Sequence, residues 1–429
     1  MNIHRAFRAI LAFLVVAVVC LGGSPGAHSQ GTSPATLRLI SQTPFTTPAH
    51  PTLRVTVAAT NTSDQPLQNL SVGIQIGEPI RSRTQYLESM VSGPGPSALF
   101  ALAFPQPGTL DPGMTHRYTV TLDVTTAHLS TFDSLVYPAQ IDLRSGVTEV
   151  ATLNTALVHI VRTPEDPLRF TWWVEITAPP PLNPEGQLSD PSFEASIAPG
   201  GSLRSEVDAL RHVATDPSRG DPIDLVVEPS VIDALVAMAG GYDRTDGTSV
   251  AAGEKGALDA ATMLALLKSA AAAPSVQVSS LPFSGPIIPS LLSSGLASDL
   301  SLQRTVGDAV IHAALGVDPT PAVARPPQGQ LDDVSVDALA LGGAGTILAD
   351  ANTVARPSLP NDYSPLPTAS LDTAAGNHVD LVLPDPDSEA LIQDPALAAD
   401  PVRSAQILFG ELATIWRESP VPSPPTVRG

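Results

Sequence analysis

Cysteine is almost absent from this sequence: Cys20 is the only one in 429 residues. No intrachain disulfide can form, so a chain of this length has to be held by packed cores alone. Lysine occurs only at Lys255 and Lys268, and aromatic residues make up 4% of the chain. Positive charge is scarce as well: 22 Lys and Arg stand against 42 Asp and Glu, giving a net charge of −20. That balance repels nucleic acid and anionic lipid headgroups and argues against both as partners. The nine histidines are scattered and no two are close in sequence, so no metal site and no cofactor is expected. Past the first two dozen residues no apolar run is long enough to cross a bilayer, which takes about 20 residues.

The N-terminus supplies what the rest lacks. Arg5 and Arg8 precede an unbroken apolar run from Ala9 to Leu21, followed by Gly22, Gly23 and Pro25 and by the small residues Ala27 and Ser29. A positive end, a short apolar core and a small-x-small site describe a secretory signal peptide over 1–29, cut after Ser29. Cys20 leaves with it. It is preceded by Val18 and Val19 rather than by the small residue a lipoprotein signal wants. Localisation is therefore expected to be exported: secreted, or on the outer face of the cytoplasmic membrane or cell wall. The membrane enters only through an uncleaved signal or through a segment absent from this chain.

Residues 33–163 read as all-β. Thr36–Ile40, Thr52–Thr60, Leu70–Ile76, Arg117–Val124, Gln140–Leu143 and Thr152–Ile160 alternate or are rich in β-branched residues. Turn clusters at Asn61–Gln65 and Asp111-Pro112-Gly113 separate them. Short strands at this spacing predict an antiparallel β-sandwich of immunoglobulin type, without the Cys…Trp…Cys core of antibody domains. Asn61 and Asn69 match glycosylation acceptors and are read as turn and strand residues.

From 168 to 418 strand and helix alternate. Strands are expected at Leu168–Thr177, Ile223–Glu228, Val276–Leu281, Thr346–Asp350 and Val379–Leu383, with helices between. Ser230 is expected to cap a helix ending at Ala239. Ala178–Gly201 reads as a long loop and Thr320–Gln330 as a stretch of low order. Pro401–Glu418 is the last helix, with Leu408, Leu412, Ile415 and Trp416 on one face, and 419–429 is a Pro-rich tail. The alternation predicts an α/β domain with a parallel sheet, an incomplete irregular barrel. The prolines after Glu418 cannot form a central strand, so the barrel is expected to stay open, with an unpaired edge near Val379–Leu383.

The segments Leu168–Thr177, Asp224-Leu-Val-Val-Glu-Pro229 with Val231–Gly241, Val278-Ser-Ser-Leu-Pro-Phe283 and Asp380-Leu-Val-Leu-Pro384 resemble an exported actinobacterial family of unknown function, often encoded beside the lipid II flippase MurJ. The Thr60–Ser63 turn fits that family too. The resemblance implies a cell-envelope role near cell-wall assembly and hands over no catalytic residues. The second domain is also distantly similar to the irregular barrels of polysaccharide deacetylases and related glycosidases. Their Asp-Asp pair and His-x-x-x-His pair have no counterpart in this chain, which argues against deacetylation.

Acidic residues fall at the ends of the expected strands: Glu175, Glu228, Asp350 and Asp385, with Asp380 at the start of its strand. In a parallel barrel the C-terminal ends form the mouth. Glu228 and Asp380 are the candidate catalytic pair for glycoside cleavage, which needs two carboxyls about 5–9 Å apart. Glu175, Asp350, His378 and Asp385 are candidate binding residues. The bland alternative is that these acids solvate loops and cap helices. Gly22-Gly-Ser-Pro-Gly26 matches a nucleophile-elbow string but lies in the signal, and Gly342-Gly-Ala-Gly345 follows a helix and reads as a helix stop. Trp172 and Trp173 face opposite sides of one strand, so at most one can serve a site. The reading on sequence grounds is a non-catalytic envelope protein that binds a glycan or a protein partner; the alternative is a carbohydrate-active hydrolase.

Overall fold

The computed structural model describes residues 33–418 apart from 96–97, 163–167, 169, 217–221, 330 and 351–367. The expected signal at 1–29 and the expected tail at 419–429 lie outside the described residues. The chain divides into two compact units, a sheet-rich one and an α/β one.

The first unit carries β1 (Ala35–Gln42), β2 (Phe45–Thr46), β3 (Thr52–Asn61), β4 (Leu70–Ile76), β5 (Phe100–Pro105), β6 (Thr115–Asp123), β7 (Leu135–Ser145) and β8 (Thr148–His159). They form two sheets, ordered β1-β3-β6 and β2-β8-β7-β4-β5. Every pair is antiparallel except β2–β8. Period-two alternation explains why they share a core. In β6, Tyr118, Val120 and Leu122 are buried between exposed neighbours. They pack with Leu39, Val55 and Val57 of the same sheet and with Val72, Ile74, Ile141, Leu143 and Leu153 of the other. Asn61 is consumed by the fold: its Nδ2 donates to the carbonyls of Gln65 and Leu110, and its Oδ1 accepts from Ser63. A helix over Arg83–Ser92, with Ser82 accepting from the Gln85 N–H at its start, was not foreseen from sequence.

The same unit includes Asp394–Glu418, which corrects the expected 168–418 extent of the α/β domain. The helix Pro401–Glu418 is seated by polar contacts. Asp400 Oδ2 accepts from the Leu39 N–H at 2.8 Å, Gln406 Nε2 donates to the carbonyls of Ala156 and Pro44, and Arg403 Nε donates to the Asn154 carbonyl. Glu411, fully buried, forms an ion pair with Arg83. The helix presents Gln406, Ile407, Gly410, Glu411 and Thr414, which are buried, while Leu408, Leu412, Ile415 and Trp416 are only half-buried. The apolar stripe misleads because the docking surface offers strand carbonyls and a cation. Gly410 permits the approach: a Cβ there would lie 2.5 Å from the Tyr86 hydroxyl and 2.7 Å from the Ala156 Cβ.

The α/β unit carries β9 (Trp172–Ile176), β10 (Ile223–Val227), β11 (Gly241–Asp243), β12 (Ser249–Ala251), β13 (Val276–Ser280), β14 (Val323–Ala324), β15 (Thr346–Leu348), β16 (Thr368–Asp372) and β17 (His378–Val382). Strands β9, β10 and β13 form one parallel sheet, ordered β13-β10-β9, and β14, β15 and β17 run parallel in a second, ordered β14-β15-β17-β16; together the two make a half-barrel. One face of β10 (Ile223, Leu225, Val227) joins Val231, Leu235, Met263 and Ile311 of the covering helices. On the other face Val226 meets Leu281 and Leu348, with Trp173, Val323 and Val382 around them.

Several expectations change here. β17 is not an unpaired edge: it lies between β15 and an antiparallel partner, β16, with Thr368 opposite Val382 and Asp372 opposite His378. The supposed loop Ala178–Gly201 contains the helix Pro191–Ile197, capped by Asp190 and anchored by buried Phe193 and Ile197. Thr320–Gln330 contains β14. Ser230 does not cap its helix; Glu228 holds the N-cap position and Pro229 the first turn. Among the described residues no helix is long and apolar enough to cross a membrane.

Candidate functional site: an acidic mouth at the strand ends

Parallel strands deliver their following residues to one rim. Glu175 on β9 stands beside Val226 of β10, and Trp173 beside Asp224. By alternation Trp173, Glu175, Asp224, Val226 and Glu228 share the concave face. Arg325, directly after β14, and Asp350, two residues past β15, reach the same rim.

Arg325 organises this rim. Its Nε donates to Glu175 Oε1 at 2.7 Å, its Nη2 to Asp350 Oδ1 at 2.9 Å and its Nη1 to the Leu348 carbonyl at 3.2 Å. The guanidinium lies 4.4 Å from the Trp173 ring centroid, a cation–π stack. One arginine thus ties the ends of β9, β14 and β15. Its side chain is 9% exposed, whereas Glu175 and Asp350 are 34% and 43% exposed, so each carboxylate keeps a face toward solvent. Asp350 is seated over Gly329, where a Cβ would overlap the carboxylate.

Glu228 is buried, and its Oε1 accepts from Ser230 Oγ at 2.9 Å. Burial raises its pKa above the usual carboxylate range, partly offset by the Ser230 hydroxyl and the Ala178 N–H. Deeper on the same face, Asp224 accepts from Ser279 Oγ at 2.9 Å, and burial pushes its pKa up to about 6. Beside Glu228 an open pocket is lined by Thr177, Ala178, Phe193, Ser202, Leu203 and Glu206, among others. The Glu206 carboxyl is held above its ordinary range, first by partial burial and then by the charge of Glu175.

Of the residues singled out from sequence, Glu175 and Asp350 are brought together through Arg325, and Glu228 lies on the same rim. Asp380 is elsewhere. It pairs in register with Thr346, the first residue of β15, about 13 Å back along the strand direction from the level of Asp350 at ~3.3 Å per residue. It accepts from Ser370 Oγ at 2.7 Å on the exposed β16–β17 hairpin. The expected pair Glu228 and Asp380 therefore does not converge, because parallel strands separate their starts from their ends. His378 is on that hairpin too, 2.8 Å from Asp372 through Nδ1 and 3.8 Å from Asp380 through Nε2. The Asp372 hydrogen bond raises its pKa. Asp385 accepts from the Ser388 N–H at 2.9 Å at the start of the helix Pro386–Gln393, a cap. Trp173 faces the rim beneath Arg325, and Trp172 packs edge-on against Phe170 on the other side.

Sequence reasoning missed Arg325, Asp224 and the service of Ser230 to Glu228. The one legible signal was an arginine directly before the Pro326-Pro327 turn. Among the described residues no group of three or more His, Cys, Asp or Glu is arranged to hold a metal ion.

No protein-family model and no curated protein matches this chain. Distant likenesses exist among solved structures. The 4-alpha-glucanotransferase of Thermococcus litoralis aligns over 52% of this chain and 28% of its own, at 12% identity and a TM-score of 0.35. The alpha-amylase AmyC of Thermotoga maritima aligns over 53% and 47%, at 11% identity and a TM-score of 0.33. The chain thus spans less than half the length of either protein, and likenesses this remote assign it neither an activity nor a substrate.

Proposed function

We propose that this chain is an exported cell-envelope protein that binds a cell-wall glycan at the acidic mouth without cleaving it. Export follows from the signal-like first 29 residues, and the envelope role from the resemblance to the actinobacterial family encoded beside the lipid II flippase. In this reading the sheet-rich unit is a sandwich of immunoglobulin type and the α/β unit an incomplete irregular barrel.

The observation that carries the non-catalytic reading is the disposition of carboxyls. Glycoside cleavage needs two carboxyl groups flanking one bond. Glu175 and Asp350 are both engaged by Arg325, and Asp380 lies away from the rim that holds Glu228. The half-exposed carboxylates are suited to accept hydrogen bonds from sugar hydroxyls. The pocket beside Glu228 adds Ser202 and Phe193. Calorimetry with soluble peptidoglycan fragments and with cell-wall polysaccharide tests this. Binding lost in Arg325→Met and kept in Asp380→Asn is the expected result; no binding to any of these polymers would refute it.

A hydrolase is the second reading, favoured by one observation. The Glu228 carboxyl is buried at a strand end with its pKa raised, as a general acid requires. Release of reducing sugar by the wild type, abolished in Glu228→Gln, would replace the binding reading with this one.

A further inference from the structure

Among the described residues strand β5 closes one edge of its sheet and pairs only with β4. Its sequence reads Phe100-Ala101-Leu102-Ala103-Phe104, the same in both directions about Leu102. Ala101, Leu102 and Ala103 are exposed, Leu102 at 43%. Native edge strands are usually protected by charge, by proline or by a bulge. This one carries none of these between Phe100 and Phe104. No charged residue occurs from Ser89 to Leu110 in a chain whose net charge is −20.

We infer that β5 is a self-complementary docking edge whose occupant is β5 of a second copy, paired antiparallel about a two-fold axis at Leu102. The geometry follows from the ladder. The Gln106 N–H donates to the Leu70 carbonyl of β4, so by alternation the even-numbered residues of β5 point their backbone groups toward β4. The N–H and C=O groups of Ala101 and Ala103 then point outward. Antiparallel pairing about Leu102 sets Ala101 opposite the partner's Ala103 and Ala103 opposite the partner's Ala101, making four backbone hydrogen bonds. Leu102 meets its own copy at a non-hydrogen-bonded position, where side chains approach most closely. Phe100 falls opposite the partner's Phe104, both on the core-side face with Leu102. Pro105, which has no N–H, falls outside the five paired residues.

The symmetry of Phe100–Phe104 favours a second copy, and the absence of charge along this edge permits it. Two molecules of this acidity repel each other through most surfaces, and the charge-free β5 edge lets them meet without placing like charges opposite one another. The pairing is small beside the roughly 1,200–2,000 Å² of a standard interface, so the dimer is weak. It strengthens with salt, because screening weakens the repulsion between the two copies.

The test uses the full chain lacking residues 1–29, by sedimentation velocity over a wide concentration range. The wild type is expected to shift from monomer to dimer as concentration rises, and more readily at high salt. Leu102→Lys, which sets two ammonium groups face to face, should remain monomeric with an unchanged melt. Because that variant could fail for other reasons, Leu102→Cys supplies a second measurement. Its thiols, stacked on the two-fold axis, should form a covalent dimer under mild oxidation, whereas His116→Cys on the exposed outer strand β6 should not. A wild type monomeric into the millimolar range, or a Leu102→Cys chain that crosslinks no faster than His116→Cys, would overturn the proposal.

Discussion

Two buried arginines organise the two units, and they do it differently. Arg83 is 6% exposed and faces a carboxylate, Glu411, that is completely buried. Arg325 is as deeply placed, at 9%, but its carboxylates Glu175 and Asp350 are 34% and 43% exposed. The first pair is shut away and fastens the helix Arg83–Ser92 to the helix Pro401–Glu418. The second is a buried cation under a solvent-facing anionic rim. A buried cation marks a clamp when its partner is also dry, and a rim that can meet ligands when its partners are wet. Burial of the anion, not of the arginine, separates the two.

Breaking each pair sharpens that distinction. Glu411→Ala removes the buried carboxylate that faces Arg83 in the sheet-rich unit, and should cost about 3–5 kcal/mol. Chemical denaturation followed by Trp416, the only tryptophan of that unit, reads the loss. A smaller loss than in Arg325→Met would mean that burial of the anion is the wrong criterion.

Acidification should move the two units in opposite directions. Burial raises the pKa of Asp224 from 3.8 to about 6, so the folded α/β unit binds a proton more tightly than its unfolded chain does. The stability that Asp224 contributes is fully present below the unfolded value and is lost as pH rises from about 4 to about 6, on the order of 3 kcal/mol in total. His159, bonded to Thr46 at 2.9 Å, has its pKa lowered by burial. Its contribution to the sheet-rich unit is present above the unfolded value of 6.5 and is lost as pH falls through the folded one. Thermal melts across this range, with Trp416 reporting one unit and Trp172 with Trp173 the other, should show the split. Asp224→Asn should weaken the response of the α/β unit alone; an unchanged slope in that variant would exclude the assignment.

Arg325→Met should cost less than the Glu411 change, about 1–2 kcal/mol, since the carboxylates it releases can turn to water. Denaturant midpoints of the α/β unit check this, and weakened glycan binding should accompany it. The smallest effect belongs to the β16–β17 hairpin. His378→Ala and Asp380→Asn alter exposed groups and should leave both melting and binding as in the wild type. Loss of binding in Asp380→Asn would return that residue to the site.

Long periodic segments were legible in the sequence, and short or shared ones were not. Strands β3, β4, β10 and β13 and the helix that follows Pro229 could be read from pattern because each is long enough to show a period or a compact apolar run. Arg325 could not be found this way, since β14 has two residues and two positions carry no periodicity. Asp380 was placed at the start of its strand from sequence and still paired with Glu228; what the sequence could not give is the separation, which the register with Thr346 shows. The helix Pro401–Glu418 was recognised but assigned to the wrong unit. An amphipathic pattern says that a helix needs a surface, not which one, and the deciding contacts were the polar groups Asp400, Gln406 and Glu411. Glu228 was found because it sits at the end of a readable strand. Its engagement with Ser230 was hidden because a serine two residues after a strand reads first as a cap.

The hydrogen bond between Leu39 and Asp400 joins residues 361 positions apart. The sheet-rich unit begins to be synthesised first, yet it cannot be closed until Asp400 and the helix Pro401–Glu418 have been made. Residues 33–162 therefore wait with a carbonyl-rich surface uncovered while the α/β unit is made. Closing a flexible loop costs only about 0.6 kcal/mol more for each doubling of its length. Because the α/β unit folds within that loop, the disordered length that remains is shorter still. The penalty falls on time rather than on equilibrium: native closure of this unit waits until the α/β unit has been made, and its half-formed sheet stays exposed meanwhile.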